Sequence, residues 1–355
     1  MADINIKAGK NVYEMIQDGG FTLDQITACA GPAVGPRWLV ASGFDITLLE
    51  NEMLGRRQPV LLAGSSAGAL RFAAWVQPEA VKSYRRLMEG YISMSFGKMD
   101  TSDTILASIR RVINDYIEDD AIPFALANKK YRLAVTTARA RNLVSSEIAW
   151  IQHLGLIFSF LFNAVNSSWL YIFFQRVVFY NGALPPLFCL RSDFRGKAVK
   201  LNDANLRHAL LASSAIPLVV AGVKNIYGAP NGIYRDGGLM DYHLNQKYAE
   251  KKEDIVLLFH HQDRIIPGWL DKKLKYKESG SENMENVLMI SPTEEFIQKL
   301  PGGKIPDRDD FKIFAADPSA RIKNWWRAVE LSSPLGEQFL ELVESKKIRD
   351  VVQEM

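Results

Sequence analysis

Cysteine is nearly absent from this chain of 355 residues: Cys29 and Cys189 are the two it has, each inside an apolar segment. That usage excludes a disulfide framework and points to a reducing compartment. An excess of charge is missing too, with a formal net charge of +3 and no basic stripe interleaved with aromatics, so no nucleic acid is expected as a partner. There is no internal repeat and no low-complexity tract. The first twenty residues carry Asp3, Glu14 and Asp18 and no apolar run, so no cleaved signal peptide is expected, and the expected location is cytoplasmic. No group of histidine, cysteine and carboxylate has ligand spacing, so no metal is expected. What remains is a globular composition, 48% hydrophobic and 23% charged, long enough to bury a large core. No feature of the sequence sets an oligomeric state.

Taken in order, Asn11 to Gln17 has helical spacing, and Gln25 to Ala30 has the look of a buried first strand. A loop from Gly31 to Arg37 follows, then a helix to about Asn51. Strand, glycine loop and helix is also the layout of a phosphate cradle. This loop has neither Gly-x-Gly-x-x-Gly nor a terminal Lys-Ser/Thr, so nucleotide binding is not expected. Its position at a strand end would suit an oxyanion hole. Tyr131 to Ala138 is the next clear strand, Leu187 to Leu190 is expected to resume the sheet, and Asp254 to Phe259 is another buried strand. Strands separated by helices point to an α/β fold with a central, mostly parallel sheet and helices on both faces. Sites in such sheets gather at the carboxyl ends of the strands.

One such end carries Gly64-Ser65-Ser66-Ala67-Gly68. A short apolar run precedes it and a helical stretch to Pro78 follows, which is the pattern of an elbow that lifts a serine hydroxyl out of a sheet. Gly64 and Gly68 keep strand and helix free of clashes beside Ser66. Further on stand Ala212-Ser213-Ser214-Ala215-Ile216-Pro217 and Asp236-Gly237-Gly238.

These three segments, in this order, resemble the patatin-like serine acyl hydrolases over about Ile26 to Phe259. The resemblance implies a three-layer patatin-like fold and a Ser-Asp dyad without histidine: Ser66 attacks an ester carbonyl and Asp236 accepts its proton, with Gly237 and Gly238 completing the aspartate loop. It implies a phospholipase A or lysophospholipase type of activity that needs no cofactor, on a lipid or lysophospholipid substrate, through an acyl-serine. The family's Gly-Gly-Gly-x-Arg-Gly oxyanion loop is altered here. Ala33 and Val34 stand for its first two glycines, Gly35 matches the third, and Pro36, which has no N-H, precedes Arg37. The donors left for an oxyanion are the N-H groups of Val34, Gly35 and Arg37. Burial and a direct hydrogen bond to Ser66 are expected to raise the basicity of Asp236. Asp241 follows as a second carboxylate, able to alter that pKa or to cap a helix.

Leu154 to Phe174 is uncharged over twenty-one residues. Asn163, Asn166, Ser167 and Ser168 divide it into two apolar pieces within an insert of about 143–182. Three readings stand: a lid with an apolar face toward lipid, a buried helix pair, or a membrane segment. The first makes peripheral membrane contact an expectation. The catalytic domain is expected to run over 1–316, with a helical extension over 317–355 whose tryptophans, Trp325 and Trp326, belong to the core. Two rival functions stay open. One is an α/β-hydrolase with a Ser-His-acid triad drawing on His243, His260 or His261, and the other is a patatin-fold lipid- or partner-binding protein without turnover.

Overall fold

The computed structural model describes residues 3–97 and 99–355. Among them eleven strands join one sheet: β1 (Ile4–Ala8), β2 (Ile26–Gly31), β3 (Val60–Ser65), β4 (Tyr131–Ala140), β5 (Phe174–Tyr180), β6 (Gly196–Lys200), β7 (Val223–Lys224), β8 (Ile233–Asp236), β9 (Ile255–Phe259), β10 (Val287–Pro292) and β11 (Gln353–Glu354). The spine β10-β9-β2-β3-β4 is parallel throughout. Antiparallel pairing is confined to the margins, where β1 meets β10, where β4 meets β5 and β8, and where β8 meets β7. The protein is therefore an α/β fold with a large, mostly parallel central sheet flanked by helices.

Alternation along the strands decides what each face buries. Leu62, Leu257 and Ile290 point into the main core, while Ala30, Leu258 and Met289 point the other way. The main core is closed by α2 (Ser42–Glu50), α3 (Ala67–Trp75), α4 (Ala80–Ser93), α5 (Ser102–Tyr116) and α7 (Leu206–Ser213), with α1 (Lys10–Gln17) at its edge and α6 (Ala149–Val165) elsewhere. From the chain's last part, α8 (Pro318–Ser332) and α9 (Pro334–Glu344) add Trp325 and Phe339 to that same core, and Trp326 packs half-buried against it. The opposite face is covered largely by irregular segments carrying Leu244, Ala249 and Ile265. Behind the elbow, Arg71 on α3 makes two hydrogen bonds of 2.8 and 2.7 Å to Asp45 on α2, and Tyr84 on α4 donates to the same carboxylate at 2.6 Å. All three groups are buried, so this fully paired cluster locks the helices that carry the site in one arrangement.

Two expectations are corrected. The strand at Ile26–Gly31 is the second, not the first. Ile4–Ala8 precedes it, and its partners β10 and β11 lie so far along the chain that no hairpin signal betrays the pairing. Leu187–Leu190 is a 3-10 turn, and the sheet continues through β5 and β6 on either side of it. The apolar stretch divides within the expected polar cluster, at Asn166 to Ser168, into a helix of 17 residues and a short one over Leu170–Phe173. Asn163 does not break α6 because its side chain is satisfied laterally, donating to Asp271 at 2.6 Å, and the helix ends at Asn166. No helix among the described residues is long and apolar enough to cross a membrane.

Candidate active site

β4 acts as a common template for the two halves of the site. Along one of its edges, β3 ends with Ser65 opposite Thr136, and the antiparallel β8 ends with Asp236 opposite Thr137. The two strands thus meet head to head at adjacent positions of a third. Ser66 follows immediately, and its Oγ donates to Asp236 Oδ2 at 2.7 Å. The other carboxylate oxygen accepts the N-H of Gly238 at 2.7 Å, so both oxygens are oriented. Ser66 and Asp236 are both buried, 5% and 6% exposed.

The serine sits at φ 52°, ψ −122°, a conformation that non-glycine residues avoid. Its N-H is held by Ser213 Oγ at 2.8 Å, and that hydroxyl in turn donates to the Thr136 carbonyl at 2.7 Å. Asp236 N-H is bonded to Ala215 C=O at 3.0 Å. The Ala-Ser-Ser-Ala segment therefore ties serine to aspartate, a duty its composition did not reveal. Gly68 is required by close approach: a Cβ there would lie 2.1 Å from the Gly31 carbonyl oxygen. A Cβ on Gly64 would run into the backbone N of Ala69 at 2.6 Å, and one on Gly237 into the Thr136 carbonyl at 2.1 Å.

The loop after β2 turns into a 3-10 helix at Gly35, which has φ 58° and so favours glycine. Val34 N-H is already donated to the Pro32 carbonyl at 3.0 Å, so it is not free for a ligand. The N-H groups of Gly35 and Arg37 have no hydrogen-bond partner among the described residues, and neither has that of Ala67 in the first turn of α3. Gly35, Ala67 and Ser66 border one cavity of about 420 Å³. Its lining is largely apolar, with Leu70, Met94, Phe96, Ile109, Val112 and Phe311, and it also includes Arg308, Asp309 and Lys312.

Charge around the site is predominantly positive. The Arg308 side chain lies over Gly35, its Nε 2.9 Å from where a Cβ would be, and it has no ion pair or hydrogen bond among the described residues. Arg37 reaches Asp307 only at 3.9 Å. Lys272 is held down to about 8 by burial and by the neighbouring Arg308 and Arg37. Burial raises the pKa of Asp236 above the usual aspartate value, while Arg308, the Ser66 hydroxyl and the Gly238 N-H oppose the rise. The Ser66 hydrogen bond thus works against basicity, contrary to expectation, because it stabilises the carboxylate rather than the acid. Asp241 neither faces Asp236 nor caps a helix. It is consumed in a buried two-pronged pair with Arg176, at 2.8 and 2.9 Å.

His243, His260 and His261 come together in space, with one ring nitrogen of each within 4.8 Å of the others, a cluster that chain spacing concealed. Burial pushes His260 down to about 4 and the other two well below the usual histidine value. As a metal site the set fits poorly. His243 Nδ1 accepts the Ile266 N-H at 3.0 Å, so the neutral ring carries its proton on Nε2, and Nε2 is the nitrogen left unpartnered. Lys272 adds positive charge beside both His243 and His261, and Arg37 beside His261. None of the three histidines bonds to Ser66 or Asp236, so a Ser-His-acid triad has no geometry here.

No family model and no curated protein matches the chain. Among solved structures it is similar to human GIVD cytosolic phospholipase A2, at 10% identity over 98% of this chain, with a TM-score of 0.39. The chain spans 66% of the length of that structure. So distant a likeness adds nothing to the geometry above.

Proposed function

We propose that the protein is a serine carboxylic-ester hydrolase acting on lipid acyl esters, of phospholipase A or lysophospholipase type. The observation that carries this reading is the Ser66 hydroxyl in a strained elbow, 2.7 Å from a buried, doubly anchored Asp236 and open to an apolar cavity. Ser66 Oγ attacks the acyl carbonyl as Asp236 takes its proton, and the N-H groups of Gly35, Arg37 and Ala67 are the donors available to the developing oxyanion. Collapse passes the proton to the leaving alkoxide and leaves an acyl-serine. Water, deprotonated by Asp236, then releases the acid and restores the serine. The apolar walls suit an acyl chain, and the cations Arg308 and Lys272, which have no ion pair among the described residues, with Arg37 only loosely paired to Asp307, suit an anionic headgroup, which favours a phospholipid or lysophospholipid over a neutral glyceride.

Labelling with a fluorophosphonate tests the reading directly. The wild-type chain is expected to label and Ser66→Ala to remain unlabelled, with Asp236→Ala slowed by orders of magnitude and His243→Ala retaining its rate. A wild-type chain that fails to label where known lipases react is instead a lipid-binding protein without turnover.

A further inference from the structure

The outward face of α6 is a continuous apolar surface that the fold leaves uncovered. Trp150, Leu154, Ile157, Phe158, Leu161 and Val165 recur at three- and four-residue steps along it, all exposed, Val165 by 74%. No Lys, Arg, Asp or Glu lies anywhere on this helix. Trp169 and Ile172 prolong the stripe beyond its end. Folded chains seldom leave contiguous apolar surface of this extent without a partner.

Three features say what that partner is. First, the stripe has a cationic flank fastened to it. Tyr276 donates to the Ala164 carbonyl at 2.7 Å and Lys277 to the Asn163 carbonyl at 2.9 Å, so the segment bearing the exposed Lys273 and Lys275 is stapled to the last turn of α6. Second, tryptophans stand at both ends of the stripe, the residue type that settles at the boundary between headgroups and acyl chains. Third, the stripe runs on to the mouth of the Ser66 cavity. Gln152 of α6 accepts the N-H of Leu218 at 2.7 Å, and Leu218 and Val219 are themselves exposed, while Val219 also lines the cavity.

We propose that this face docks on an anionic lipid bilayer, with α6 lying in the interface plane and the cavity mouth turned toward the lipids. The direction of substrate delivery rests on the hydrolase reading given above; the docking itself does not. The test uses the full chain carrying Ser66→Ala, so that no lipid is consumed, and sedimentation with vesicles of phosphatidylcholine alone or mixed with phosphatidylglycerol. Binding to the mixed vesicles is expected, weakening at high salt. Phe158→Glu combined with Leu161→Glu, both at exposed positions, is expected to weaken it by about two orders of magnitude. Replacing Lys273 and Lys275 by Gln is expected to cost about fivefold per lysine on the mixed vesicles only. In the Ser66 background the same substitutions should leave fluorophosphonate labelling unchanged, which reports an intact fold and site. Unaltered vesicle binding by the double glutamate variant overturns the proposal. So does a dimer in sedimentation velocity that this variant dissociates, with no vesicle binding, because a second copy then covers the face. A chain that does not label but still binds vesicles through these residues defeats the hydrolase reading alone.

Discussion

Ser213→Ala removes one hydroxyl that serves two buried backbone groups at once. Its Oγ accepts the Ser66 N-H at 2.8 Å and donates to the Thr136 carbonyl at 2.7 Å, in surroundings that exclude water. Alanine leaves a donor and an acceptor without partners, and an unsatisfied buried polar group costs about 1–3 kcal/mol. Because a carbonyl tolerates underuse better than an N-H, the sum is expected near the low end, about 2–3 kcal/mol. For a chain of this length that lowers Tm by about 3 °C. The kinetic effect is expected to be larger, because the freed N-H is the restraint on a serine held at positive φ. A misplaced nucleophile costs roughly ten- to a hundredfold in reaction rate. Ser214→Ala is the built-in control: its hydroxyl only bonds back to Leu210 C=O, one turn earlier at 3.2 Å, and its loss should stay within about 0.5 kcal/mol. Thermal unfolding and fluorophosphonate labelling of the two variants side by side decide the matter. Equal behaviour of Ser213→Ala and Ser214→Ala would refute the idea that Ser213 holds the elbow.

Arg308→Gln removes a positive charge that favours ionised Asp236, so the acid limb of the kcat/KM profile on a neutral soluble ester should move to higher pH; an unmoved limb means that Arg308 does not sense the carboxylate. Asp236 binds its proton more tightly in the folded chain than in the unfolded one, so its contribution to stability declines as pH rises through the aspartate range. Asp236→Asn should therefore have the higher Tm at pH 8, with the gap closing toward pH 4, as differential scanning calorimetry can follow. Gly68→Ala forces a methyl group against the Gly31 carbonyl and should destabilise by more than about 3 kcal/mol or abolish soluble expression, whereas Gly19→Ala, with open space around its Cα, should lose far less despite φ 75°.

What could be read from the residues was whatever is encoded locally. The elbow at Gly64–Gly68 is strand, turn and helix within one short window, and the Asp236 turn carries its own glycines, so both were visible as pattern. Their meeting depends on β4, whose positions 136 and 137 receive two strands from distant parts of the chain. The same is true of Ser213, whose hydrogen bond to Ser66 spans 147 positions, and of Arg308, which reaches Gly35 from a segment with no motif of its own. The histidine cluster escaped because packing, not spacing, gathers it. Within the polar cluster that divides the apolar stretch, Asn163 stays inside the helix because a partner 108 positions away, Asp271, satisfies its side chain, and the break falls at Asn166 to Ser168.

The contact between Gly31 and Gly68 has an evolutionary consequence. With no side chain between them, the loop that offers hydrogen-bond donors and the helix that carries the serine form one inflexible block, so neither can shift without the other. Most of the cavity's outer wall comes from elsewhere, from α4, α5 and the segment around Phe311. Selection can therefore reshape the cavity without disturbing the elbow, and variation in what the cavity admits should be recorded at Met94, Ile109 and Phe311 rather than at Gly31 or Gly68.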